Sequence, residues 1–122
     1  MSTLQESLRS FLTVEGVRTA ALIDISTGMI VRSVGKPDPD LAATAACAAD
    51  EVRAARSALG SVITAEEQME ITAITDGRLH VSRVLRGWPS DGLLLFVDLE
   101  RGKSNLGLAS LRIGQLAPAV LA

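Results

Sequence analysis

The chain is short of the side chains that carry most protein chemistry. Its 122 residues include one histidine, one cysteine, one tryptophan, two phenylalanines and no tyrosine. A single cysteine excludes an intramolecular disulfide framework, and one histidine with one cysteine cannot form a zinc site of the usual His/Cys type. The scarcity of aromatic rings removes the stacking platform that single-stranded nucleic acid needs. We therefore expect no metal, no cofactor and no nucleic-acid partner.

Strong charge and long apolar runs are also absent. Twelve basic and 14 acidic residues give a net charge of −2, which offers no general attraction for nucleic acid. No uninterrupted apolar stretch approaches about 18 residues, so we expect no insertion into a membrane. The first residues lack the basic and then apolar pattern of a signal peptide. Together with the unpaired Cys47, these features favour a cytoplasmic location.

What the chain does have is aliphatic residues, and hydrophobic residues make up 48% of it. A chain of this length is expected to form one domain, here residues 1–122, with a single aliphatic core. Apolar residues recur at helical spacing in three segments, which are 3–13, 39–59 and 105–120. Short apolar or alternating segments predict five strands, at 17–25, 29–34, 68–75, 78–86 and 93–99.

Cap residues mark the expected helix ends. Thr3 and Glu6 have the spacing of a capping box. Asp38 is expected to cap the second helix and Ser104 the third, because both side chains can accept a hydrogen bond from the first helical turn. Gly60 fits the position just past the end of the second helix.

The element order α-β-β-α-β-β-β-α predicts an α/β (α+β) fold with a mostly antiparallel five-stranded sheet. The first and fifth strands are apolar on both faces, so we place them side by side at the centre. Short connections then give the order 2-1-5-4-3, with helices on both faces. The third strand becomes an edge without proline, and such an edge is a template for pairing with another chain.

This ordered set of motifs resembles the Roadblock/LC7 family, also known from dynein light chains, and especially its short bacterial members. The resemblance lies in Val14-Glu15-Gly16-Val17 leading into Ala20-Ala21-Leu22-Ile23-Asp24, in Thr27-Gly28-Met29-Ile30-Val31, in the alanine-rich second helix, and in Ser104-Asn105-Leu106-Gly107-Leu108. It covers almost the whole chain.

The resemblance implies a homodimeric, non-catalytic adaptor that binds a Ras-like small GTPase. It also implies a role in bacterial signalling or polarity systems, in which the adaptor either only binds the GTPase or also modulates its GTP hydrolysis. A sensor-kinase-like protein encoded in the same operon is a further expected partner. Family members pair through the third strand, and their second helices lie together across the joined sheet. The expected dimer interface is Glu70, Ile71, Thr72, Ala73, Ile74, Ala45, Ala48 and Val52. The expected partner-binding residues are Asp50, Arg53 and Ser57.

Other candidate sites are less specific. The segment 101–104 resembles a phosphate-binding loop, but the glycine that such a loop needs five residues before Gly102 is Val97. His80 and Cys47 would form a catalytic pair only if they faced each other, and we expect Cys47 to pack among alanines. A basic patch of Arg78, Arg83 and Arg86, with Arg101 and Lys103, is expected to be partly neutralised by Glu66, Glu67 and Glu70. Trp88 is a lesser candidate for an interface anchor.

The alternative function is a small-ligand sensor of profilin-like α/β architecture. It requires a pocket between sheet and helix in which polar groups converge, and the sequence shows no such group clearly.

Overall fold

A computed structural model describes residues 3–62, 68–86 and 92–120 of the chain. The helices are α1 (Leu4–Arg9), α2 (Leu41–Leu59) and α3 (Leu106–Leu116). The strands are β1 (Val17–Asp24), β2 (Ile30–Gly35), β3 (Glu70–Ile74), β4 (Arg78–Val84) and β5 (Leu93–Glu100). Short 3-10 turns follow α1 and α3 and precede α3, at Ser10–Thr13, Ala117–Ala119 and Arg101–Lys103.

The five strands form one sheet in the order β2-β1-β5-β4-β3, and each neighbouring pair is antiparallel. This confirms the order predicted from the two strands that are apolar on both faces. β1 and β5 are buried from residue 19 to 23 and from 94 to 99, because each lies between two other strands and beneath helices on both sides.

Two apolar layers flank the sheet. On one side Ala20 and Leu22 of β1 pack with Leu8, Phe11 and Ile113 from the α1 and α3 regions. On the other side, a second set of β1 and β5 side chains packs under α2; its members include Ala21, Ile23, Leu94 and Phe96. The alternation of side chains along a strand therefore decides which helix each residue meets. None of the helices in the described part of the chain is both long and apolar enough to cross a membrane.

The first helix begins as the sequence predicted, because the Thr3 and Glu6 side chains each accept a hydrogen bond from the backbone N–H of the other. The other two predicted caps are wrong. α2 begins at Leu41 with Asp40 at its N-cap, and the Asp38 side chain accepts from the backbone N–H of Asp40 instead of from the helix.

α3 is capped by Asn105, which accepts from the N–H of Leu108 at 3.0 Å. Ser104 instead donates from its hydroxyl to the carbonyl oxygen of Glu100. At the end of α2, Gly60 keeps a right-handed helical conformation, with φ of −58°, so it is not the left-handed terminating glycine that its position suggested.

One glycine sets how β2 ends against β1. Gly35 has φ of +109°, and a Cβ placed there would lie 2.2 Å from the carbonyl oxygen of Arg18. Any side chain at this position would both strain the backbone and collide with the neighbouring strand.

We therefore expect Gly35→Ala to lower the free energy of unfolding by more than about 2 kcal/mol. Gly77→Ala is the matched control, because nothing lies within 4 Å of a Cβ built at Gly77. It should change stability by less than about 0.5 kcal/mol. Urea unfolding of both variants measures the difference, and equal effects would contradict this account of the β2 end.

Candidate functional site

β3 is an edge strand. It pairs with β4 along Glu70–Ile74, and no strand in the described part of the chain pairs with its other side. Ile71 is half-buried against the core under α2, whereas Ile74 is 54% exposed. The outward-facing backbone N–H and C=O groups of this five-residue strand are therefore open, next to apolar side chains, which is the arrangement that accepts another strand.

The underside of α2 belongs to the core of its own chain. Ala45, Ala48 and Val52, which the sequence assigned to the dimer interface, are 0%, 4% and 0% exposed beneath the helix. They cannot touch a second copy without unpacking the helix from the sheet. We therefore revise the α2 contribution to any interface to the exposed side of the helix.

One flank of α2 faces the β3 edge. Thr44, Cys47 and Glu51 of this flank line a small cavity of about 40 Å³, and Ala73 of β3 and His80 of β4 line it from the sheet. This cavity is roughly large enough for one or two water molecules. Cys47 is exposed, so the expectation that it packs among alanines is wrong. Helical spacing alone placed Cys47 near alanines, but it could not show which strand of the sheet lies next to the Cys47 side chain.

His80 lies beside a buried carboxylate. Its Nε2 lies 3.1 Å from Oδ1 of Asp98, and the other Asp98 oxygen accepts from Arg78 at 2.8 Å. The Asp98 side chain is only 6% exposed, so the bond from Arg78 compensates part of the cost of burying its charge, while Oδ1 accepts no hydrogen bond from the described residues. The imidazole also meets the Phe96 ring edge-on at 5.2 Å. Sequence analysis missed Asp98, although an acidic residue within an apolar strand is a signal of a paired charge.

The opposite flank of α2 faces the β1–β2 turn. The Arg53 guanidinium donates to the carbonyl oxygen of Ile25 and to the Asp50 carboxylate. Ser57 is exposed farther along the helix. The three predicted partner-binding residues therefore share an accessible surface, and Arg53 ties that surface to the end of β1.

The β1–β2 turn is closely fitted to α2. Gly28 has φ of +76°, and a Cβ there would lie 3.2 Å from Cα of Ala46. Hydrogen bonds from the Ser26 hydroxyl, the Ser26 backbone N–H and the Thr27 hydroxyl hold the pKa of Asp24 below its ordinary value. Hydrogen bonds between its own side chains and backbone therefore hold the conformation of this turn.

The predicted basic patch does not form as a single surface. Successive strand residues face opposite sides, so Arg78 joins Asp98 on the α2 face, whereas Arg83 joins Glu70 at 3.3 Å on the α3 face. The neutralisation of Arg83 by Glu70 is confirmed. Glu66, Glu67 and Trp88 lie outside the described residues.

The segment before α3 is not a phosphate-binding loop. Arg101–Lys103 forms a 3-10 turn, and Arg101 donates to the carbonyl oxygen of Thr75. Lys103 pairs with Glu100 at 3.2 Å, and its hydrogen bond is the main cause of a lowered Glu100 pKa. Within residues 3–62, 68–86 and 92–120, no group of three His, Cys, Asp or Glu side chains could hold a metal ion.

Solved structures share this fold. The gliding protein MglB from Thermus thermophilus aligns with a TM-score of 0.77 at 21% identity, over 96% of this chain and 84% of that one. A Roadblock/LC7 domain from Streptomyces avermitilis gives 0.77 at 21% identity, over 98% and 95%. MglB from Myxococcus xanthus gives 0.76 at 17% identity, over 94% and 89%. No protein-family profile and no curated protein matches the sequence. The chain has the Roadblock/LC7 fold, as its motifs predicted.

The Asp24 turn gives a test of this surface. We expect Ser26→Ala to raise the pKa of Asp24 towards its ordinary value, because it removes the largest of the bonds that favour the ionised form. The lowered pKa means that ionised Asp24 stabilises the fold above its unfolded-state pKa, and that this contribution is lost as the pH falls through its folded-state pKa. NMR titration of the carboxyl carbon measures both proteins. An unchanged pKa would contradict the assigned hydrogen bonds.

Proposed function

We propose that this chain is a homodimeric, non-enzymatic adaptor that binds a Ras-like small GTPase in the bacterial cytoplasm. The observation that carries the proposal is the open β3 edge beside an exposed flank of α2. The family resemblance supplies the partner class, because bacterial proteins with these motifs bind such GTPases. A regulatory rather than an enzymatic role is supported by the fold, which this chain shares with MglB and with a Roadblock/LC7 domain.

The β3 edge is suited to pairing with itself. Two copies related by a two-fold axis near Thr72 would place Glu70 of each beside Ile74 of the other and extend the sheet to ten strands. Glu70 is the one charged residue of β3, and its oxygens are already engaged by Arg83 and Ser110. Like charges therefore do not oppose the pairing, and Ile74 gains burial.

The exposed side of α2 would continue this interface. Ala73 lies on the same face of the sheet as α2, so pairing of the two β3 strands brings both α2 helices to one face. The flank towards β3 carries Thr44, Cys47 and Glu51, with exposed Ala43 and Ala54 next to it. Apart from Glu51, these side chains are short and allow two helices to approach closely.

The other flank remains available to the partner. In such a dimer Asp50, Arg53 and Ser57 point away from the joined edge, next to the β1–β2 turn. The bonds of Arg53 to Ile25 and Asp50 fix this surface in advance. A surface fixed in advance loses less conformational entropy on binding, which favours affinity.

The other sheet edge provides a matched test of the dimer. Ile74 on β3 and Val31 on β2 are 54% and 52% exposed, so aspartate at either position should leave the single chain folded. We expect the wild type to have twice the 12.8 kDa chain mass in light scattering. Ile74→Asp should weaken the dimer at least about tenfold, because it buries an unpaired charge, whereas Val31→Asp should leave it intact. A monomeric wild type, or a dimer broken only by Val31→Asp, would contradict pairing through β3.

GTPase binding is tested separately. The Ras-like GTPases of the same genome are loaded with GDP or with a non-hydrolysable GTP analogue, and calorimetry measures binding. We expect one of them to bind in its GTP form, and expect Asp50→Lys combined with Ser57→Lys to weaken that binding about thirtyfold, as loss of an interface hot spot does. Arg112→Glu on the exposed side of α3 is the control and should change the affinity less than about threefold. Absence of nucleotide-dependent binding, or equal loss in the control, would overturn the assignment.

A further inference from the structure

A second and larger cavity lies at the other end of β4. It is a half-open cleft of about 210 Å³ between the end of β4, Gln68 two residues before β3, and the 3-10 turn after α3. Leu85, Ala117, Pro118 and Val120 give it an apolar wall, and Arg83 and Arg86 also line it. None of the predicted dimer or partner residues lines this cleft.

The Arg83 side chain is held in place by contacts within the chain. Its Nη1 donates to one oxygen of Glu70 at 3.3 Å, and its guanidinium lies over Gly114 of α3, within 3.6–3.8 Å of where a Cβ would be. A strand residue that faces a helix over a glycine has little freedom to swing out. The guanidinium is therefore a fixed element of the cleft wall.

Glu70 accepts a hydrogen bond from only one N–H group of Arg83. Its second oxygen accepts from the Ser110 hydroxyl at 2.7 Å, so the Arg83–Glu70 contact is single and longer than the 2.7–2.9 Å typical of a charge-assisted bond. A guanidinium carries five N–H donors in a planar fork, which matches the two oxygens of a carboxylate. The remaining N–H groups can therefore donate to a second carboxylate.

We propose that this cleft binds a small aliphatic carboxylate. The carboxylate would meet Arg83, and the hydrocarbon chain would lie against Leu85, Ala117, Pro118 and Val120. At about 30 Å³ per water-sized group, the cavity holds roughly seven non-hydrogen atoms, which is the size of pentanoate. The proposal does not depend on the proposed dimer or on a GTPase partner, and it gives the chain a ligand-binding function in addition to its adaptor role.

The test is an NMR titration of the intact chain with pentanoate and with its uncharged counterpart, pentanamide. We expect pentanoate to shift the backbone amide signals of residues 84–86, 117 and 119–120 saturably, and expect pentanamide to bind at least about tenfold more weakly, because a charge-assisted bond is lost. Arg83→Gln should reduce pentanoate binding by a similar factor. Arg112→Gln, on the exposed side of α3, is the matched control and should leave it unchanged.

A second variant keeps the proposal testable if Arg83→Gln unfolds. Glu70→Gln removes the carboxylate that competes for Arg83, so it should bind pentanoate more tightly than the wild type. Equal binding of pentanoate and pentanamide, no binding of either, or weaker binding by Glu70→Gln would each overturn the proposal.

Discussion

β1 and β5 lie side by side at the centre of the sheet, and the surrounding structure follows from their pairing. Seven residue pairs join them, from Val17 with Leu99 to Asp24 with Leu93. Each strand is apolar on both faces, and full burial of one such side chain contributes about 1.5–3 kcal/mol. Neither strand could tolerate a solvent-facing side, so helices must cover both faces. α2 on one side, and α1 with α3 on the other, satisfy that requirement.

This central pairing leaves β2 and β3 at the two edges, and these edges differ. β2 carries Arg32 and ends at Gly35, where the backbone is left-handed and a side chain would collide with β1. β3 carries one charge, on Glu70, and that charge is satisfied within the chain. Natural sheets usually protect an edge that must not pair with other strands, and they leave open an edge that is used for pairing. The difference supports β3 as the edge used for assembly.

The sequence was sufficient for the fold because the deciding signals were local. Two-sided apolar strands, the short connections between strands and the helical stripe of α2 together specify the order of the strands. The caps were predicted less well, because Asp38 and Asp40, or Ser104 and Asn105, lie within two residues and have similar capping ability. Which of them occupies the N-cap position depends on where the preceding turn leaves the backbone, and Asp40 occupies it without a side-chain capping bond.

Contacts between segments that are far apart in the chain could not be predicted from the sequence. Cys47 and His80 are 33 positions apart, and their shared cavity depends on how far α2 lies from the β3 edge. Arg83 lies on an otherwise apolar face of β4. Its presence there is explained by its neighbours Glu70 and Gly114, and by Ser110, which binds the second oxygen of Glu70. In both cases the residue type was informative, but its partners came from other elements. Ala45, Ala48 and Val52 of α2, which were expected at a dimer interface, likewise proved to be buried within their own chain.

The central claim is that β3 is the edge through which two copies join, and amide hydrogen exchange tests it most directly. Exchange of the backbone amides of residues 70–74 is measured at protein concentrations well below and well above the dissociation constant of the dimer, with the amides of β2 as the internal reference. Pairing through β3 predicts that exchange in this segment slows as the concentration rises, while exchange in β2 does not change. Protection of β2 alone, or no change in β3 while the mass doubles, would contradict the account.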